Sequence, residues 1–425
     1  MQIVTAGSML SDERDAVEHL AREILKDGRK PAGVCLYFQK SLSPARLRTA
    51  ALEFFPGIPV VGMSVKNGAF DRNVLIGNLN AESALSAGGV SRSRFSVNRF
   101  REPKVSGSGG VIALAFSGDD VSLGSLAGIY AGDSGIDSER VFNVISEKAG
   151  LCGVFPDLIM FHCTENAQLP FAHALAEYMG DSVQVAGGMF DISEGDVTVF
   201  TEEGILTGKS LYVMTFLYTD CDVLVTGESS CEPEGHHGVV TEAFGDVISE
   251  IDNQPAADVL FRWLDRDSSS WSPDKINQEL FKLRSRWTIA RQTADIRGTV
   301  RFNITYPVQV NPDRSLRISN IWEKGMRVCL MSVNSNDIVR YFGRVRCPSD
   351  RAVLGALHYM CDSYSTGERE SGYADSVVSQ VRASENFPFV TTPQHGEFAK
   401  DMDNMEYIMC NYVISSVWFL EKDLG

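Results

Sequence analysis

One order of elements recurs along the chain: a hydrophobic strand, a helix, and a second hydrophobic strand that closes on glycine or a polar turn. The first occurrence runs from Gly33–Phe38 through a helix near Pro44–Phe54 to Ile58–Ser64, with Gly68 beyond. The second runs from Leu158–Cys163 through a helix near Pro170–Met179 to Val183–Gly188. The third runs from Leu354–Cys361 through a helix near Tyr373–Ala383 to Pro388–Val390, with Gly396 and Glu397 beyond. Each ends in further apolar strands: Val111–Phe116, then Val197–Phe200 and Leu211–Leu217, then Ile408–Phe419. Strands alternating with helices predict α/β layers, and the hairpins at the unit ends predict mixed rather than purely parallel sheets.

The flanking segments fit around these units. Residues 11–26 carry Ala16, Val17, Leu20, Ala21, Ile24 and Leu25 on one helical stripe, opened by Ser11-Asp12-Glu13-Arg14, one residue short of a capping box. Residues 238–251 alternate as two strands, Pro255 suits a first helical turn, and Ile276–Trp287 reads as helical after the polar stretch Asp265–Lys275. The Gly-rich stretches 101–110 and 132–135 read as loops.

A core seldom grows past roughly 250–300 residues, so 425 residues predict more than one domain. The expected division is an N-terminal strand and helix at 1–30, a first α/β domain at 31–220 and a second at 221–425, two related halves of mixed β-sheets layered with helices.

Lys and Arg number 39 against 55 Asp and Glu, a formal charge of −16 that repels phosphate backbones. The basic clusters, Arg92 to Lys104 and Lys282 to Arg286, are short, so a nucleic-acid partner is not expected. The N-terminus lacks the basic and apolar regions of a signal peptide, and no apolar run reaches the roughly 18 residues that span a bilayer. A cytoplasmic location without membrane insertion is expected. Nine cysteines without a Cys-x-x-Cys pair indicate neither a disulfide framework nor a zinc ribbon.

Strand ends are where α/β folds place ligands, and that rule selects the candidates. Cys361 ends a strand and precedes a polar run; Cys163 has the same place in the second unit, with a buried thiol as the plain alternative for both. Glu397, on the turn with Gly396 and His395, can present a carboxylate to a ligand amine, or be solvated. Gly187, Gly188 and Gly62, with Ser64, allow a ligand to approach backbone amides, or serve turns. His236 and His237 are adjacent, and neighbours on an extended segment point to opposite sides, which disfavours a shared metal ion. No Walker loop, dinucleotide fingerprint, nucleophile elbow or His-Glu-x-x-His motif is present.

Three stretches together resemble the FIST family of sensory input domains, in which N- and C-terminal α/β halves form one ligand-binding module. Val60-Val61-Gly62-Met63-Ser64 with Gly68 is similar to the Gly-x-Ser-x-x-Gly-Glu segment of the N-terminal half, with one extra residue before Gly68 and Ala69 in place of Glu. Gly227–Val259, with Val240-Thr241 and Glu250–Ala256, resembles the start of the C-terminal half. Gly355–Cys361, Pro388-Phe389 and Gly396-Glu397-Phe398 resemble that half's Cys-containing strand and Gly-Glu turn; the Arg that often follows the family's Cys is absent from Asp362-Ser363-Tyr364.

The resemblance implies a signal-transduction protein that binds a small polar, amino-acid-like ligand in a cleft between the halves. With no kinase, cyclase or receiver segment here, its signal would leave through a downstream protein. The resemblance makes no cofactor certain, but some family members are haem-bound nitric oxide sensors, which makes His162, His236, His237, His358 and His395 the candidate axial ligands. A cysteine-dependent enzyme using Cys361 is the third reading.

Overall fold

Strands that are apolar at every position need cover on both faces, and that requirement organises this chain. The computed structural model describes residues 1–66, 68–76, 109–130, 137–164, 175, 183–192, 195–229, 231–283, 286–294, 298, 300–333, 346–361, 382, 386–401, 406–410 and 413–422. Gly33–Gln39 runs parallel to Val60–Val65 across the helix Pro44–Phe54. Leu158–Cys163 runs parallel to Gln184–Met189, and Val353–Cys361 to Phe389–Gln394. These are the three units read from the sequence. The helices expected near 170–179 and 373–383 lie outside the described residues, apart from Leu175 and Arg382.

Each parallel pair is extended on one side by two antiparallel strands. For the first these are Val111–Ser117 and Gln2–Ser8, for the second Leu211–Tyr218 and Ser122–Ile129, and for the third Val413–Leu420 and Asp222–Ser229. On the other side each sheet is completed by a hairpin from a different unit. The first takes Val197–Phe200 and Ile205–Gly208, the second takes Glu397–Asp401 and Glu406–Cys410, and the third takes Ala69–Asp71 and Leu75–Ile76. The hairpins are thus passed around a closed cycle of three six-stranded sheets. Sheet pairing crosses the expected 220/221 boundary twice, at Glu397–Gly188 and at Phe70–Thr391.

The exchanged hairpins are held by equivalent contacts. Phe200 lies opposite Gly62, Phe398 opposite Gly187 and Phe70 opposite Thr391. Each of these phenylalanines meets an aromatic ring of its host sheet: Phe200 with Phe38 at 5.6 Å, Phe398 with Phe161 at 4.9 Å and Phe70 with Phe389 at 6.3 Å between centroids. Such pairs add about 0.5–1.5 kcal/mol to the gain from burial alone. In the 69–76 hairpin the turn is closed by Asp71, whose Oδ1 accepts from the amides of Asn73 at 2.7 Å and Val74 at 2.6 Å.

The inner faces of the three sheets share one core that includes Cys35, Tyr37, Val61, Met63, Met160, Ala186, Leu357, Tyr359 and Val390. The outer faces are covered differently. Helices Glu13–Ile24 and Pro44–Phe54 cover the first and Ser138–Lys148 covers the second. The N-cap of the first helix is Asp12, accepting from Arg14 and Asp15, rather than Ser11, which accounts for the short spacing of the apparent capping box.

The third sheet is covered by a unit the sequence did not set apart. Residues 231–333 form an eight-stranded sheet with a core of its own around Val240, Ile251, Phe261 and Leu330. Its long strand Cys231–Phe244 and the following Val247–Ile251 are the alternating strands predicted near 238–251. Helices Ala256–Trp263 and Pro273–Leu283 pack on this core, with Pro255 just ahead of the first, and the chain returns to a strand at Trp287. The other face of this sheet places Ala290, Ile304, Cys329 and Met331 against Phe70, Phe389 and Trp418 of the third sheet. The fold is mixed α/β, with five helices among the described residues.

Replacing Phe70 with Ala should destabilise the chain by about 3–5 kcal/mol in urea unfolding, as for other buried phenylalanines. Although Phe70 belongs to the first unit, the amides that lose hydrogen-exchange protection should include those of 353–361 and 389–394; loss confined to 33–65 would contradict the exchange.

Candidate functional site

The second strands of the three parallel pairs end together, and their ends enclose a cleft. Its lining takes one triplet from each unit: Ser64-Val65-Lys66, Met189-Phe190-Asp191 and Pro393-Gln394-His395, joined by Lys40 and Val197. The cleft is narrow, with about 20 Å³ of free space, roughly the room of one water, below a mouth open to solvent. The last residue of each triplet is charged or titratable, so the mouth carries Lys66, Asp191 and His395.

Lys66 Nζ and Asp191 Oδ2 are 2.7 Å apart, with the two side chains 18% and 11% exposed. An ion pair this sheltered holds both heads at the mouth, where each can also meet a ligand group of opposite charge. His395 Nε2 lies 3.3 Å from Tyr306 Oη, so the inserted 231–333 unit reaches the cleft through one aromatic contact. Ser64 Oγ accepts from the amide of Thr198 at 3.0 Å and is committed to holding the exchanged hairpin.

Glycines account for how closely the strands converge. Gly187 has φ +150°, and a Cβ there would sit 1.7 Å from the carbonyl oxygen of Phe161. A Cβ on Gly188 would meet Gln394 at 2.6 Å and the carbonyl oxygen of Gly396 at 2.8 Å. The turn at Gly396 is laced to the second unit, since its carbonyl accepts from Met189 at 2.8 Å and the His395 amide donates to Met189 at 3.0 Å. Gly62 serves packing: a Cβ there would penetrate the Phe200 ring at 2.2 Å.

Of the residues singled out from the sequence, Ser64 and His395 line the cleft, and Gly188 and Gly396 lie directly behind its lining. Glu397 is fully buried opposite Gly188, one residue from His395, and does not reach the solvated mouth. Cys361 pairs in register with the lining residue Gln394, yet its side chain is 2% exposed and belongs to the apolar cluster with Phe389 and Trp418. Burial pushes the thiol of Cys163 well above its ordinary range.

The histidines do not gather. His236 and His237 are exposed on the 231–244 strand, with His236 stacked on Trp263. His162 and His358 are buried in separate sheets, His358 sharing a hydrogen bond with Ser416 Oγ at 2.8 Å. Burial lowers both from 6.5 to about 3, so both rings are neutral at pH 7. A haem needs a wide apolar slot on both faces of its ring, whereas the cleft at His395 is narrow and sets Lys40, Lys66, Asp191 and Gln394 among Val65, Met189, Phe190, Val197 and Pro393. The cleft at His395 therefore does not fit haem, and no step is derived through it. No group of three metal-ligating side chains occurs among the described residues either.

Lys66, Asp191 and Gln394 had no individual motif to mark them. The signal lay in the repeat, since each of the three stands at the end of a second strand or within two residues after it.

Because the unfolded chain binds protons at these two histidines near pH 6.5 and the folded one only near 3, their stabilising contribution is complete above pH 6.5 and is lost as pH falls toward 3. Urea midpoints should fall between pH 7 and pH 5, and His162→Phe with His358→Phe should flatten that slope; an unchanged slope would refute the assignment. Gly187→Ala should cost about 3 kcal/mol or more, read as a lowered thermal midpoint.

No curated protein matches the chain in sequence. The family model for the FIST N domain matches residues 32–254, more than half of the chain, beginning just before the first strand of the first unit and continuing past the Asp222–Ser229 strand into the inserted sheet. With that match added to the strand order described above, the chain belongs to the FIST family of sensory, signal-transduction domains.

Proposed function

We propose that this chain is a sensory protein whose ligand is a small polar, amino-acid-like molecule held in the cleft where the three second strands end. The observation that carries this reading is the Lys66–Asp191 pair at the cleft mouth, 2.7 Å apart and largely sheltered from water. A zwitterion offers the complementary pair of charges, its carboxylate to Lys66 and its ammonium to Asp191, so binding exchanges one ion pair for two. His395 at the same mouth supplies a third polar contact. A cleft lined by all three units also suits a sensor, because a ligand there touches strands from every sheet and stabilises the arrangement in which they converge.

The same reading includes a cytoplasmic location and output through a separate signalling protein. No helix among the described residues is long and apolar enough to cross a membrane. The 231–333 unit, which touches His395 through Tyr306, is the part of the chain best connected to pass a change at the cleft outward. We keep the 1–30, 31–220 and 221–425 division as a proposal about sequence organisation, with the 231–333 sheet as a further unit inside the last part.

Titration calorimetry of the full chain with a panel of L-amino acids should find saturable binding at one site. Lys66→Met and Asp191→Asn should each weaken it by about tenfold or more, equivalent to about 1.4 kcal/mol. A ligand that binds with both variants unaltered places the site elsewhere.

A further inference from the structure

Below the charged mouth the three units present a second, buried polar layer. The cleft triplets align the units with one another, so Met63, Gly188 and Thr392 occupy equivalent places one step in from Ser64, Met189 and Pro393. Their register partners on the first strands are Tyr37, His162 and Tyr359. All three are buried, at 0%, 2% and 0% exposure. His162 and Tyr359 approach to 5.1 Å between ring centroids, and His162 stacks on Phe190, which lines the cleft. The hydroxyls of Tyr37 and Tyr359 are close enough to perturb each other.

The next layer inward is apolar: Val61, Ala186 and Val390 beside Cys35, Met160 and Leu357. The polar layer is therefore a floor, and not one part of a continuous polar channel. Among the described residues His162 Nε2 has no hydrogen-bond partner, and Tyr37 Oη and Tyr359 Oη have none beyond each other. Polar atoms so sparsely paired in a buried layer carry a desolvation cost that a bound polar group would offset. Gln394 connects the two levels, because it lines the cleft and donates from Nε2 to Thr392 Oγ1 at 2.9 Å.

We propose that Tyr37, His162 and Tyr359 form the specificity pocket beneath the mouth, and that they select an α-amino acid whose side chain ends in an uncharged carboxamide. The inference rests on the zwitterion reading of the mouth. Two phenolic O–H groups donate to the amide oxygen, and the unprotonated Nε2 of His162 accepts an amide N–H. Burial keeps this imidazole neutral and raises both phenols, so the floor has no cation to offer a carboxylate. An aliphatic side chain would offer these groups no polar partner and leave His162 Nε2 unpaired.

The test is calorimetry of the full chain with L-glutamine, L-asparagine, L-glutamate, L-norleucine and L-lysine. One of the two carboxamides should bind at least about tenfold tighter than the other side-chain classes, the order expected when buried donors go unpaired with the wrong ligand. Tyr37→Phe and Tyr359→Phe keep the rings and should reduce that preference severalfold without altering the melting temperature, whereas Lys66→Met should weaken every ligand alike. Equal affinity across the panel, tighter binding of glutamate, norleucine or lysine, or a carboxamide preference untouched by both phenylalanine variants would overturn the specificity pocket and leave the zwitterion reading standing. Absence of binding by every amino acid in the panel ends both.

Discussion

The structure depends on the pairing of each sheet's open edge with a hairpin from another unit. An unpaired edge exposes a row of backbone donors and acceptors, and covering it with a neighbour's strands removes that exposure without an extra element. Here the covering is cyclic: the first unit closes the third sheet, the third closes the second, and the second closes the first. The three inner faces then share one core, and the second strands are brought to a common point. The cleft is a by-product of that closure. Its charged mouth and polar floor both follow from which residues happen to stand at the equivalent strand positions of the three units.

Equivalent positions have diverged unequally, and most at the cleft mouth. The exchanged hairpins keep phenylalanine in all three copies, Phe70, Phe200 and Phe398, because each must fill the same space against a host aromatic ring. The apolar layer keeps size and polarity with Val61, Ala186 and Val390. At the mouth the same comparison gives Lys66, Asp191 and His395, a cation, an anion and an imidazole. Packing constrains the first two sets, whereas the third set is free to differ and together makes a site that no single unit has.

The sequence made the repeat legible because the strand–helix–strand units have buried, uninterrupted apolar strands, such as Gly33–Gln39 and Leu158–Cys163. It also led to His395, Ser64 and the Gly187-Gly188 pair, through the rule that ligands sit at strand ends. Hairpin exchange was not legible. Val197–Phe200 follows the second unit in sequence and reads as its own last strand, and nothing in its four residues names Val60–Val65 as the partner. The inserted sheet was hidden for a similar reason: Trp287–Ala294 and Arg327–Val333 are ordinary amphipathic strands, and only their shared core with Val240 and Leu260 separates them from the third unit. Cys361 drew attention because it ends a strand, but its side chain lies with Phe389 and Trp418 in apolar surroundings, a position that sequence spacing does not resolve.

The exchange cycle also fixes the order in which the chain can become whole during synthesis. The second sheet lacks two strands until residues 397–410 have emerged, and the third lacks its central antiparallel strand until 413–420 has. The hairpin at 69–76, made early, must wait for a host at 389–394 that is more than three hundred residues away. Contacts so distant in sequence are entropically slow to form, and the early strands stay uncovered while they wait. A nascent chain of this kind can therefore complete its first sheet by residue 208, while the second and third stay open until strands 397–410 and 413–420 have been translated.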